Sequence, residues 1–367
     1  MNAMMRRAVI GTAAVSMALT MAACGKAGGT KAASASSSAS AGGKSIGLLL
    51  PENATTRYEQ LDKPLIEAKV KAACADCTVD YANAAGSAAT QAQQVSTMIT
   101  KGVNVLIVDA VDSAAIKTSI QAAVDKGIKV IAYDRLAQGP VSAYVSYDNE
   151  KVGELQGQAL LDALGAKATP TANIVMINGD DADPNAAMFK AGAHKILDGK
   201  VKIAYEQSGL WKDTVANQKV TAAITQIGAP NIAGVYSAND GMAGGIATAL
   251  KGAGISNIPV TGQDAELAGL QRILAGSQSS TVYKAPKPEA EAVASLAVDL
   301  LNNKDISGTA SASSTSGSGN KVPSVLLTPV SVTKANMAST VIADALYPTA
   351  NICTADFAAA CAAAGIK

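Results

Sequence analysis

The chain of 367 residues is longer than one ordinary domain and predicts two, each large enough for its own core. Its 30 lysines and arginines nearly cancel 29 aspartates and glutamates, and no block of like charge stands out, which excludes an electrostatic nucleic-acid binder. The single histidine, His194, lies in a helix-like run away from any cysteine pair, so a histidine-based triad or zinc site is excluded as well.

Arg6 and Arg7 precede an apolar run, 8–23, that stops at Cys24. A charged start, a short apolar core and small residues before a boundary predict a secretory signal over 1–24. The run is short for a stable membrane span, which takes about 20 apolar residues. The boundary "LTMAAC" resembles the lipobox of bacterial lipoproteins, with Met21 where leucine is commonest. That resemblance implies a lipid on Cys24 and an exported chain held on the outer face of the cytoplasmic membrane. A plain transmembrane anchor or a signal cleaved without lipidation stays open. Residues 25–43, "GKAGGTKAASASSSASAGG", are too polar and flexible to bury a core and predict a tether.

From Lys44 onward strand-like and helix-like segments alternate. "SIGLLL" (45–50) precedes a helical stretch over 57–73, and "TVDYAN" (78–83) precedes a helix ending at the "KG" of 101–102. "VNVLIVDA" (103–110) precedes a helix ending at 126–127, and "IKVIAYD" (128–134) follows. Glycine after lysine suits a left-handed helix cap. The strands are continuous apolar runs, as in a parallel sheet covered on both faces. The pattern then restarts, with strands over 172–179, 201–207, 232–239, 258–264 and 280–284 and helices between them. A helix over 286–303, a Ser/Gly-rich loop over 307–319 and a last strand in "VPSVLLTPVSVTKANM" complete the chain. The fold class predicted is α/β: two Rossmann-like, doubly wound lobes, neither one continuous segment. Lobe 1 is expected over 44–148 plus 286–322, and lobe 2 over 149–285 plus 323–367.

An exported chain sits where disulfides persist. Cys74, Cys77, Cys353 and Cys361 allow three pairings, and proximity favours Cys74–Cys77 and Cys353–Cys361. "CADC" could instead be a redox motif, but it precedes a strand-like segment, whereas a thioredoxin-type pair opens a helix after a strand.

In open α/β sheets ligands bind beyond the carboxyl ends of the strands. There this sequence places Arg57 and Tyr58, then Asp134 and Arg135, Asp183 and Asn185, Trp211, Asn239, Asp264 and Lys284. Asn239, Asp264 and Asp183 could each be a helix N-cap. "GDDADPN" lacks the spacing and closing glutamate of a calcium loop, so no metal is expected. Caps alone do not explain Arg, Lys and a lone Trp at strand ends. Three cations against three carboxylates suit a neutral, hydroxyl-rich ligand, because each hydroxyl both donates and accepts. Trp211, with Tyr58, offers an aromatic face to the C–H side of a sugar.

"YDR" (133–135), "SYDNEKVGELQ" (146–156), "SANDGMAGG" (237–245), "GQDAELAGLQRI" (262–273) and "TVYK" (281–284) closely resemble bacterial periplasmic xylose-binding proteins, of the ribose/galactose group serving ABC transporters. The resemblance covers the chain from about residue 44 to about 345. It implies a type I periplasmic binding fold whose lobes, joined by three crossings, close over the sugar. Carried over residue by residue, it assigns sugar contacts to Arg57, Asp134, Arg135, Asp183, Asn185, Asn239, Asp264 and Lys284, with Trp211 stacking. Tyr58 stands where the xylose-binding pattern has tryptophan, so one stacking face differs. The cysteine pairs and the C-terminal tail are additions to the pattern. The function implied is a monomeric, lipid-anchored binding protein, without cofactor, that delivers a monosaccharide to an ABC permease. The alternative is a body that presents its bound form to a membrane signalling receptor. Acid–base catalysis is not expected, because each Asp has a cationic or amide neighbour type. A sugar-responsive transcription regulator is disfavoured by the signal and by the lack of an N-terminal DNA-binding segment.

Overall fold

The computed structural model describes residues 43–366; the signal expected over 1–24, the lipid site expected at Cys24 and all but the last residue of the tether expected over 25–43 lie outside the described residues. The first lobe opens with β1 (Ser45–Leu50), α1 (Lys63–Ala73), β2 (Thr78–Asn83), α2 (Ala88–Lys101), β3 (Val105–Val108), α3 (Lys117–Asp125), β4 (Lys129–Tyr133) and β5 (Ala143–Tyr147). The second follows with α4 (Asn149–Leu164), β6 (Asn173–Asn178), α5 (Pro184–Leu197), β7 (Lys202–Ser208), α6 (Asp213–Ile227), β8 (Ile232–Ser237), α7 (Asp240–Gly252), α8 (Leu267–Ala275) and β9 (Ser280–Tyr283). The chain returns to the first lobe for α9 (Pro286–Leu301), β10 (Ala312–Thr315) and β11 (Lys321–Leu327). It ends on the second with β12 (Val330–Thr333), α10 (Thr349–Ile352) and α11 (Ala358–Ala363).

The first sheet runs β10-β11-β5-β4-β3-β1-β2, parallel except for β10 against β11. Its alternate residues feed two cores. Leu48, Leu50, Ile107 and Ile131 pack with α1 and α9, while Leu49, Leu106, Val108 and Val130 pack with α2 and α3. This is why the central strands read as unbroken apolar runs. Full burial of each such side chain stabilises by about 1.5–3 kcal/mol. β2 at the edge is only half-buried. Strand order reverses at β1, between β2 and β3, so the crevice falls beyond the ends of β1 and β3.

In the second lobe β7-β6-β8 are parallel, and single bridges, Val235 to Val260 and Gln263 to Val282, carry the sheet on to β9 and β12. The tail packs Ile352, Cys361 and Ile366 onto Leu270, Ile273 and Leu274 of α8. The Cys353–Cys361 disulfide closes this tail, and Cys74–Cys77 follows α1. Three strands of chain cross between the lobes, at Asp148, at 284–285 and at 328–329. They are tied together: Asp148 N–H donates to the Leu327 carbonyl (2.9 Å) and Tyr147 Oη to the Ala285 carbonyl (2.8 Å).

Several expectations need correction. β11 lies wholly in the first sheet, so the lobe break expected between 322 and 323 falls inside a strand. The expected last strand is two, β11 and β12, split at Pro329. The expected loop over 307–319 contains β10, and β5, which has no counterpart among the expected strands, follows β4 directly. Residues 258–264 form no continuous strand; they pair with their neighbours as isolated bridges, Val260 with Val235 and Gln263 with Val282. The helix expected from 57 begins as a turn of π-helix, Tyr58–Asp62, before α1.

Candidate functional site

All ten residues singled out at strand ends line one cavity between the lobes, with Thr55, Phe189 and Gln263 beside them. Trp211 is half-buried; the other nine are buried.

The first-lobe wall is an interlocked set of charges. Arg57 sits where β1 gives way to the π turn. Its Nε and Nη2 donate to both oxygens of Asp62 (2.8 and 3.1 Å), and Nη2 also donates to Glu289 Oε2 of α9 (2.6 Å). Nη1 is left without a hydrogen bond among the described residues, 3.7 Å from Asp134 Oδ1. Asp134, just past β4, has φ +53°, a left-handed conformation that a non-glycine residue keeps only when its surroundings impose it. Here three donors impose it: Tyr144 Oη (2.9 Å), Ser146 Oγ (2.8 Å) and Asn185 Nδ2 (3.0 Å) all reach the Asp134 carbonyl. Arg135 donates to the Ala110 carbonyl and to Tyr58 Oη, both at 3.1 Å, and pairs across the lobes with Asp183 Oδ2 at 3.1 Å. The Tyr58 ring lies 5.7 and 5.9 Å from the Arg57 and Arg135 guanidiniums. Tyr58 is thus engaged by ring and hydroxyl in bracing the wall.

The second-lobe wall is more aromatic. Asp183 caps α5 by accepting from Asn185 N–H (2.8 Å), and Pro184 follows at the first helical position. Asn239 caps α7 through Met242 N–H (2.9 Å). The cap reading and the cavity reading are therefore both met at these two residues. Asp264 caps nothing; it has φ +89°. Trp211, with φ +57°, lies against Gly179, where an added Cβ would come within 2.0 Å of the indole. Phe189, one turn beyond Asn185, meets the Trp211 ring edge-on at 6.3 Å. Trp211 Nε1 and Gln263 Oε1 have no hydrogen-bond partner among the described residues. Lys284, at the end of β9, reaches Asp134 Oδ1 (3.3 Å) and Asp264 Oδ1 (3.6 Å), linking the two walls.

The sequence count of three cations against three acids is incomplete. Asp62, Asp109 and Glu289 stand behind the wall, fully buried and beside the two arginines. Burial drives these acids towards their neutral forms: Asp62 and Asp109 are pushed up, and Glu289 is pushed up to about 8 against the pull of Arg57. Asp183 is raised likewise, burial outweighing Arg135. Burial also opposes ionisation of Asp134, but Lys284, Arg57 and Arg135 outweigh it and hold this carboxyl down to about 2. Among the side chains that line the cavity itself the count stays three cations against three acids, the extra acids lying behind it against the arginines. Phe189 was within reach of the sequence, as one of only two phenylalanines and four residues after Asn185. Gln263 directly precedes Asp264. A roomier groove of about 660 Å³ lies between the ends of α7 and α8, but Arg272 there is already taken up by Gln278 and the Asp240 carbonyl.

Two α/β lobes on a triple crossing, with a buried polar cavity between the carboxyl ends of their strands, define the type I periplasmic binding fold. The chain belongs to the family described as periplasmic binding protein domain, whose model matches residues 46–305. It is 36% identical over 318 residues to the D-xylose-binding periplasmic protein of Escherichia coli (strain K12), covering 82% of this chain and 90% of that one. It is 33% identical over 328 residues to the multiple sugar-binding periplasmic receptor ChvE of Rhizobium radiobacter, again covering 82% and 90%. Among solved structures it is similar to an ABC transporter solute binding protein from Clostridium phytofermentans with bound beta-D-glucose. That match has a TM-score of 0.74 and 28% identity, and covers 84% of this chain and 100% of the other. Proteins of this kind bind and do not catalyse.

Proposed function

We propose that this protein is an exported, lipid-anchored solute-binding protein that captures a neutral monosaccharide, xylose foremost, and hands it to an ABC permease. The observation that carries the proposal is the cavity wall itself. Charged donors and acceptors alternate around it in near balance, beside the Trp211 and Phe189 rings. Sugar hydroxyls match such a wall, since each accepts from a guanidinium or amide and donates to a carboxylate. An anionic ligand would find Asp134, held ionised, in its path. The names of the relatives, xylose-binding and multiple sugar-binding, point the same way. Sugar contacts are assigned to Arg57, Tyr58, Asp134, Arg135, Asp183, Asn185, Trp211, Asn239, Asp264 and Lys284. Lobe closure is a hinge motion about the three crossings. Lipid on Cys24 and the tether keep the binding body beside the membrane. The test is calorimetric titration of residues 44–367 with xylose, glucose, galactose, ribose and arabinose. Saturable binding, tightest for xylose, is expected. Absence of heat with every sugar would overturn the proposal.

A further inference from the structure

The turn that carries Asp264 is held from beneath by a side chain that does not line the cavity. Asp264 (φ +89°) and Ala265 (φ +49°) are consecutive left-handed residues, a conformation that needs outside support. Asp240, the first residue of α7, lies fully buried below them. Its Oδ2 accepts from the Glu266 N–H (2.9 Å) and from Thr281 Oγ1 (2.9 Å). Thr281 Oγ1 in turn accepts from the Ala265 N–H (3.1 Å). Asp240 Oδ1 accepts from Gln278 Nε2 (2.6 Å), whose orientation Arg272 fixes by donating from Nε to Gln278 Oε1 (3.0 Å). Gly262 and Gly269 make room for the carboxylate: a Cβ at either would come within 1.9 Å of Oδ1 or 2.3 Å of Oδ2.

We propose that Asp240 is a positioning residue for ligand binding: its carboxylate clamps the 264–266 turn in the left-handed form and so aims Asp264 at Lys284 and the ligand. This role rests on the sugar-binding proposal above. Every group that meets Asp240 is a donor, so both of its oxygens must accept. An asparagine has one acceptor oxygen, and its amide would face a donor with another donor. A carboxylate that merely stabilised the lobe would affect folding without acting through Asp264.

The test compares wild type, Asp240→Asn, Thr281→Val, Asp264→Ala and the double variant D240N/D264A. Binding of xylose, or of the tightest sugar of the five, is titrated at pH 8. Burial pushes Asp240 up to about 7, so at pH 8 it is ionised. Asp240→Asn should weaken binding about tenfold or more, and Thr281→Val by a smaller factor. In the Asp264→Ala background Asp240→Asn should cost nothing further. Without sugar, amide hydrogen exchange at Ala265 and Glu266 should quicken in Asp240→Asn and in Thr281→Val while the strands keep their protection. Wild-type affinity in Asp240→Asn, or losses that multiply in the double variant, would overturn the role. If Asp240→Asn does not fold, Thr281→Val decides: unchanged exchange and affinity would overturn it. A wild type that binds no sugar overturns the sugar proposal instead, and the exchange measurement still tells whether Asp240 holds the turn.

Discussion

On the first-lobe wall of the cavity the polar groups are charged and pair mostly with one another, leaving Arg57 Nη1 and Arg135 Nε without a hydrogen bond among the described residues, whereas the second-lobe wall is more aromatic and carried on loops. Arg57 is held by Asp62 and Glu289, Arg135 by Ala110, Tyr58 and Asp183, and the Asp134 carbonyl by three donors. Opposite them, Trp211 and Asp264 sit on left-handed turns, and Trp211 Nε1 and Gln263 Oε1 are unpartnered among the described residues. The first wall is a charge lattice whose assembly cost was met in folding, so its free Arg57 Nη1 is pre-aimed. The second supplies shape and an aromatic surface from loops that the lobe beneath must hold in place.

Substitutions on the two walls should therefore fail differently. The largest effect is expected at Asp134. Asp134→Asn tolerates the left-handed backbone but leaves Lys284 and Arg57 short of a buried counter-charge. It should cost about 3–5 kcal/mol of stability, read by urea unfolding, and abolish sugar binding. Trp211→Ala should lose binding about 100-fold with a stability change of only about 1–2 kcal/mol, since the ring is half-buried at the cavity rim. Equal stability losses in the two variants would erase the contrast.

The smallest effect concerns pH. Glu289, raised to about 8, keeps a proton in the folded protein between about pH 4 and 8 that the unfolded chain has released. Its contribution to stability is thus present at acid pH and is lost as pH rises through 8. Glu289→Gln removes that dependence, so its Tm should fall less than that of the wild type between pH 5 and 8. Glu266, raised to about 8, leaves a residual slope. Parallel Tm–pH curves would show that Glu289 does not titrate there.

Most of the buried strands, though not β5, and ten of the thirteen cavity-lining residues were legible because strand ends in a parallel sheet fall at predictable places and apolar runs mark them. What was hidden obeys other rules. β10 is "ASST", a short, polar, antiparallel edge strand with no apolar run to betray it. Asp62 and Glu289 lie in segments that read as helix, where an acid near an N-terminus looks like an ordinary solvent-facing residue. Only the packing of α9 against the π turn turns them inward onto Arg57. Asp240, beside Asn239 in "AND", hides behind a cap signal in the same way.

The central claim is that both walls grip one neutral sugar, and the most direct measurement is the crystal structure of the xylose complex. The sugar hydroxyls should pair with Arg57 Nη1, Asp134, Asn239 and Asp264, and the apolar face of the ring should lie on Trp211. Xylose bound outside this cavity, or within it without contact to Arg57 and Trp211, would contradict the account.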